Sequence, residues 1–272
     1  MGKNQLDGSI PSSIGNLSLL SNLDVNTNNL TGKIPEAMGG LDHIQHLQLS
    51  INNLKGMVPV QLYNRSMLVF FAFANNDLHG EIPSDIGFRL PNLSVFHTCF
   101  NKFSGPIPPS LHNVTKIESI RMSKNQFTGS VPPGLNRLHN LVMYNIGFNH
   151  ISDTTAIIKD LTNCTNLQFI ALDENLIEGS LPASFGNLSS SLEKLYLGGN
   201  RIKRSNTAVH RKFNIFNVAQ HELQPTHWEY PIRDRSSQPA DSAWACREQT
   251  IRVTPSGDWA PYCTHKTRDE QE

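Results

Sequence analysis

The stretch Asn16-Leu-Ser-Leu-Leu-Ser-Asn-Leu-Asp-Val-Asn-Thr-Asn-Asn-Leu-Thr-Gly-Lys-Ile-Pro35 places apolar residues at Leu17, Leu20, Leu23, Val25, Leu30 and Ile34. Asn28, Gly32 and Pro35 stand at fixed places among them. The same pattern returns as Leu41, Ile44, Leu47, Leu49, Asn52, Leu54, Gly56, Val58 and Pro59. In Leu23-x-Val25 the period is two, so both side chains point to one face of a short strand and the residues between them face solvent. Asn28 comes where the chain leaves that strand and bends. A buried bend strands backbone N–H and C=O groups, and a primary amide can both donate to and accept from them. Gly32 allows backbone angles that a side chain disfavours. Pro35 fixes φ and ends regular pairing before the return path.

The asparagine counts the coils. It recurs at Asn4, Asn28, Asn52, Asn76, Asn101, Asn125, Asn149, Asn175 and Asn200, in steps of 24, 24, 24, 25, 24, 24, 26 and 25 residues. Self-similarity at this period, with L-x-x-L-x-L-x-x-N-x-L inside it, is the signature of a leucine-rich repeat. A single coil cannot bury its own apolar edge, so the coils must stack. The fold expected is an α/β repeat solenoid with a concave parallel β-sheet and a right-handed superhelix, its asparagine amides forming a ladder. Some coils depart from the rule: Phe71 and Phe73 replace aliphatics, Arg65 stands where a leucine is expected, and Thr98 takes a core position. After Asn149 the Gly-x-Ile-Pro element is missing, and Ser152-Asp-Thr-Thr-Ala-Ile-Ile-Lys-Asp160 is expected to make a helical turn there. The pattern resumes with Leu167, Ile170, Leu172, Asn175, Gly179, Leu181 and Pro182, and ends with Leu195, Leu197, Asn200 and Ile202. Two regions are thus expected: a solenoid of about eight to nine coils without caps over 1–202, and an irregular tail over 203–272 that holds all three tryptophans.

Composition narrows the function. The formal net charge is zero, so nothing advertises nucleic acid or an anionic membrane. No run of about 18 apolar residues is long enough to span a bilayer, and the N-terminus has no apolar secretory core. Phosphate-binding loops, zinc-protease helices, nucleophile elbows and kinase elements are absent from the sequence, so no enzyme is expected. Acidic residues and histidines are scattered by coil, as solvated strand positions are. Cys263-x-His265 with His227 has no second spaced pair of the kind that structural zinc requires, so neither metal nor cofactor is expected. Cys99 and Cys164 fall in separate coils. Seven sequons read N-x-[ST], at Asn16, Asn29, Asn64, Asn92, Asn113, Asn163 and Asn187, and none uses an anchor asparagine. They are candidate glycosylation sites, which fits an extracellular origin.

Asn28-Asn-Leu-Thr-Gly-Lys-Ile-Pro35, Asn76-Asp-Leu-His-Gly-Glu-Ile-Pro83 and Asn101-Lys-Phe-Ser-Gly-Pro-Ile-Pro108 resemble the plant-type extracellular repeat. Leu161-Thr-Asn-Cys-Thr-Asn-Leu-Gln168 and Ser191-Leu-Glu-Lys-Leu-Tyr-Leu-Gly-Gly-Asn200 are similar to ectodomains of the rice immune receptor kinase group. The resemblance covers about residues 2–202. It implies a ligand-binding ectodomain at the cell surface that senses a peptide or protein and recruits a leucine-rich-repeat co-receptor kinase. A signal peptide, a Cys-paired cap, a membrane span and a kinase are not found in this sequence, so the chain alone is not expected to signal. The competing expectation is a truncated gene product or secreted decoy with no activity of its own.

The ligand-binding residues expected are those flanking the inward leucines: Asp24 and Asn26, His46 and Gln48, Phe70, His97 and Phe100, Arg121 and Lys124, Asn145 and Phe148, Asp173 and Glu174, then Lys194 and Tyr196. Exposed aromatics beside charges suit such a ligand. Coils stacked at about 4.8 Å give an extended peptide of roughly a dozen residues room to lie across them.

Overall fold

The computed structural model describes residues 1–153, 157–180 and 188–203, with side chains at all of these except 153, 158 and 159. Leu181, Pro182, the Asn187 sequon and the expected irregular tail beyond Lys203 lie outside the described residues. Along the chain run β1 (Asp7–Ser9), β2 (Asn22–Asp24), β3 (Asn29–Gly32), β4 (His46–Gln48), β5 (Asn53–Gly56), β6 (Phe70–Ala72), β7 (Asp77–Glu81), β8 (Val95–His97) and β9 (Lys102–Pro106). They continue as β10 (Ser119–Arg121), β11 (Gln126–Ser130), β12 (Met143–Asn145), β13 (His150–Asp153), β14 (Phe169–Ala171), β15 (Glu178–Ser180), β16 (Lys194–Tyr196) and β17 (Arg201–Lys203).

The even-numbered strands pair in chain order as one eight-stranded parallel sheet. Register carries the period-two reading straight across it: Leu23, Leu47, Phe71, Phe96, Ile120, Tyr144, Ile170 and Leu195 are successive partners. All of them are buried except Leu195 in the last strand, which is half-buried. The expected α/β leucine-rich-repeat solenoid is the observed architecture.

The reading assigned one strand to each coil, and the structure has two. The Asn-x-Leu-x-Gly segment, expected as a bend, forms the odd-numbered strands, and β1 to β13 pair as a second, seven-stranded parallel sheet. Its glycines hold positive φ, for example 78° at Gly32 and 79° at Gly129, where a Cβ would be strained. The prolines then set the exit: Pro35 has φ −65° and Pro108 φ −61°, and each opens a short 3₁₀ turn, Glu36–Gly40 and Pro109–Asn113. Two helical turns, α1 (Ile86–Arg89) and α2 (Ile157–Leu161), take the same place in other coils. The helical turn expected near Ser152–Asp160 therefore begins at Ile157. Residues before it still form β13, which pairs with β11 despite the missing Gly-x-Ile-Pro; β15 pairs with β17 separately.

The asparagine amides join one coil to the next. Asn125 Nδ2 donates to the carbonyls of Met122 and Ser123 in its own coil and of Thr98 in the coil before, at 3.0–3.2 Å. Its Oδ1 accepts from the Phe103 N–H at 3.0 Å. The same four contacts recur at Asn52, Asn76, Asn101, Asn149, Asn175 and Asn200, and Asn28 makes them to Met1, Val25, Asn26 and Leu6. Each coil thus has its bend satisfied by its own asparagine and its second strand capped by the next one.

The irregular coils have local explanations. Phe71, Phe73, Phe96, Phe103 and Phe127 form one chain of ring contacts, with centroids 4.9–6.5 Å apart, so the aromatic substitutions fill a shared interior. Arg65 pairs with the Asp42 carboxylate of the preceding coil. Thr98 is fully buried, and its hydroxyl has no hydrogen-bond partner although its carbonyl accepts two amides.

These contacts rank three substitutions, read by denaturant unfolding. Asn125→Ala removes partners from one N–H and three carbonyls and is expected to cost about 1–3 kcal/mol. Ile120→Ala, at the middle of the stack, is expected to cost about 2–5 kcal/mol, and Leu195→Ala in the half-buried last strand less than that. Thr98→Val keeps the shape and removes the unpaired hydroxyl, so it is expected to raise stability by up to about 1 kcal/mol. A loss at Thr98→Val, or equal losses at Ile120 and Leu195, contradicts this account of the core.

Candidate ligand-binding surface

Because the inward row of the even-numbered sheet is apolar in every coil, its other face carries whatever the alternate residues are. Relative to each anchor asparagine, the candidate residues fall into four columns. His46, Phe70 and Lys194 lie six residues before it; Asp24, Gln48, His97, Arg121, Asn145 and Tyr196 lie four before; Asn26 and Asp173 lie two before. Phe100, Lys124, Phe148 and Glu174 lie one before, beyond the strand ends, in a column that flanks the sheet.

That flanking column has a backbone of its own. Lys3, Thr27, Ile51, Asn75, Phe100, Lys124, Phe148 and Glu174 all adopt left-handed φ, between 51° and 57°. From Ile51 onward their carbonyls accept the anchor N–H of the preceding coil, as from Asn76 to Phe100 and from Asn125 to Phe148, both at 3.2 Å. This bond offsets a conformation that costs non-glycine residues about 1–2 kcal/mol. With eight dissimilar side chains at the position, no sequence signal marked it.

Not every candidate faces solvent. Gln48, His97, Arg121 and Asn145 are 6–9% exposed and Asn26 only 2%, contrary to the expectation that residues between the inward leucines are solvated. Strands one spacing apart, about 4.8 Å, let long side chains cover one another. They also bond locally. Gln48 Oε1 accepts from Ser50 Oγ at 2.7 Å, and Asn145 Oδ1 from the Gly147 N–H at 3.2 Å. Asp24 accepts from Asn26, and a His97 ring nitrogen lies 2.9 Å from Ser119 Oγ. Burial, and the Arg121 guanidinium beside it, hold the His97 ring well below the usual imidazole range. Asp24, Phe70, Asp173, Lys194 and Tyr196 are half-buried, while His46, Phe100, Lys124, Phe148 and Glu174 are exposed. His46 stacks on Phe70 at 6.1 Å, and burial lowers its pKa.

The open end of the face is charged. Lys124 Nζ lies 4.6 Å from the Phe100 ring centroid and 5.1 Å from that of Phe148, a cation between two rings. Asp173 is pushed up to about 6, first by burial, with Glu174 raising it further and Lys124 opposing. Burial raises the Tyr196 hydroxyl as well.

Sequence reasoning missed a buried pair elsewhere. His112 is fully buried; one ring nitrogen is 2.9 Å from the Pro132 carbonyl and the other 3.4 Å from the Tyr144 hydroxyl. Burial drives its pKa down to about 4. Cys164 fills the leucine position taken by Leu138 one coil earlier, and burial pushes its thiol up to about 11. Among the sequons, Asn16, Asn29, Asn64 and Asn163 are exposed and Asn92 and Asn113 half-buried, and none lies on an even-numbered strand. Among the described residues, no group of three or more His, Cys, Asp or Glu is placed to hold a metal ion, and no helix is long and apolar enough to cross a membrane.

The chain is similar to known repeat proteins. The Leucine Rich Repeat family model matches residues 19–41. Receptor kinase-like protein Xa21 of Oryza sativa subsp. japonica is 52% identical over 50 residues, 18% of this chain and 5% of the relative. LRR receptor-like serine/threonine-protein kinase EFR of Arabidopsis thaliana is 36% identical over 76 residues, 28% of this chain and 7% of the relative. The matches thus span only a small part of these relatives' length. Among solved structures, the plant peptide hormone receptor RGFR1 in complex with RGF2 is 36% identical with a TM-score of 0.69, over 74% of this chain and 31% of that one. The Arabidopsis receptor kinase HAESA in complex with the peptide hormone IDA and the co-receptor SERK1 is 25% identical with a TM-score of 0.63, over 74% and 37%.

The buried histidine makes stability depend on pH in a stated direction. Between about 6.5 and 4 the unfolded chain binds a proton at His112 that the folded chain refuses, so stability falls as pH falls through that window. Asp173, raised to about 6, acts in the opposite sense, because there the folded chain holds the proton. His112→Gln is therefore expected to flatten the fall in unfolding free energy by up to about 1.4 kcal/mol per pH unit, and Asp173→Asn to steepen it. Slopes identical to wild type in both variants contradict the assignment.

Proposed function

We propose that this chain, whose leucine-rich repeats are those of a plant receptor-like kinase ectodomain, binds an extended peptide outside the cell across the outward face of its even-numbered strands and their flanking column. One observation carries the reading. Register makes the inward row of the sheet uniformly apolar, whereas the outward row changes chemistry from coil to coil: Asp24, Gln48, Ala72, His97, Arg121, Asn145, Ala171 and Tyr196 occupy one column. Stacking requires the first row to repeat and leaves the second row free to be specific.

Other observations support the reading. The solved neighbours include RGFR1 with the peptide RGF2 and HAESA with the peptide hormone IDA and the co-receptor SERK1, and in this proposal the chain likewise meets a repeat co-receptor once its ligand is bound. The likeness to Xa21 and EFR points to an immune receptor within that group. The described sequons all lie away from the even-numbered strands, so glycans there leave the face clear.

The test is selection from a displayed library of random linear peptides, using the chain expressed through a secretory route, followed by hydrogen exchange to map where selected peptides protect it. Enriched peptides are expected to protect residues around the even-numbered strands, and to lose about tenfold or more in affinity with Phe148→Ala but not with Lys55→Glu on β5. A library that yields no binder, or protection confined to the odd-numbered sheet, overturns the proposal.

A further inference from the structure

The flanking column reads, coil by coil, Phe100, Lys124, Phe148 and Glu174. Lys124 projects its ammonium between the two phenyl rings, each about two-fifths exposed. Two coils further on, Asp173 and Glu174 present their carboxylates, and both rest above glycine. A Cβ on Gly147 would lie 2.5 Å from Asp173 Oδ1, and one on Gly199 would lie 2.3 Å from the Glu174 carboxylate. The absence of side chains there makes room for the acids. Among the described residues, Lys124 and Glu174 have no ion-pair partner: the ion pairs are Arg65–Asp42, Arg89–Asp85, Lys102–Asp77 and Arg201–Glu178. The surface is therefore a fixed dipole, with a cation at one coil, an aromatic at the next and an acidic pair at the third.

We infer that this segment fixes the charge pattern of the peptide: an acidic side chain over Lys124 and a basic side chain over Glu174, three residues apart in a polyproline-II conformation that turns both to the surface, with the intervening turn passing over Phe148. The occupant is an extended peptide of that chemistry, argued from charge complementarity, and the inference rests on the peptide-binding reading above. The spacing is arithmetic. Two coil steps cover about 9.6 Å, and one turn of polyproline-II chain, three residues at about 3.1 Å each, covers about 9.3 Å. Like charges set face to face suppress wrong partners, so the dipole also sets which end of the peptide meets which coil. The half-buried Asp173 carboxylate, raised to about 6, reinforces the acidic end above that pH.

The test uses random-peptide selection on the full chain and on a charge-swapped variant carrying Lys124→Glu with Glu174→Lys, both at exposed positions. Wild type is expected to enrich peptides with an acid and a base three residues apart in one order. Lys124→Glu alone is expected to weaken these by about tenfold, and the swapped variant to enrich the reverse order. Peptides that bind the face with no such spacing, or in an order that ignores the swap, overturn this inference and leave the peptide-binding reading standing. If neither protein yields a binder, the peptide-binding reading falls and the inference with it. Circular dichroism of each variant confirms that any loss is not unfolding.

Discussion

One side-chain amide, repeated once per coil, holds this structure in register. Each anchor asparagine touches three carbonyls and one N–H drawn from two successive coils. An aliphatic residue there would leave the N–H buried without its partner and take one amide donor from each carbonyl, at about 1–3 kcal/mol in all. Because the amide spans the coil boundary, it fixes the rotation of one coil on the next. Both parallel sheets follow from that registration. The leucine rows become continuous only when every coil is set at the same height.

The backbone accepts strain to make this possible. The residue before each anchor is left-handed whether it is Thr27, Ile51, Phe100 or Glu174. From Ile51 onward its carbonyl receives the preceding anchor's N–H, so the turn is determined by the ladder and not by the local residue. Freed from a conformational role, the side chain at that position varies widely, and the column that flanks the sheet can present phenyl rings, an ammonium and a carboxylate in successive coils. The same division of labour separates the inward and outward rows of the even-numbered strands. Constancy on one side of the strand is what allows variation on the other.

Much of this was legible in the sequence, for physical reasons. The anchor spacing survives because a short side chain must supply both amide donors and an acceptor within a tight buried bend, and Gly32 and its equivalents are marked by positive φ. The leucine rows show because burial excludes polar groups. The second sheet was not legible. Asn-x-Leu-x-Gly has poor strand propensity, and its pairing comes only from the neighbouring coil in matching register. The burial of Gln48, His97, Arg121 and Asn145 was hidden as well, since it arises between coils and not within one. His112 gave no sign because its position is Gly39 or Tyr63 in earlier coils, so nothing there repeats.

The claim most open to direct test is that the ladder ties the coils into one unit. The N–H groups of Leu54, Leu78, Phe103 and Phe127 each donate to an asparagine Oδ1 of the following coil, and no strand partner explains their satisfaction without it. Native-state hydrogen exchange reads them individually. The account predicts that these four amides are protected as strongly as the strand amides of Phe71 and Ile120 and open together with them, with protection declining toward Leu6 and Ile177 at the two ends of the stack. Exchange of the four amides at the rate of solvent-exposed turns, while the strand amides stay protected, would contradict it.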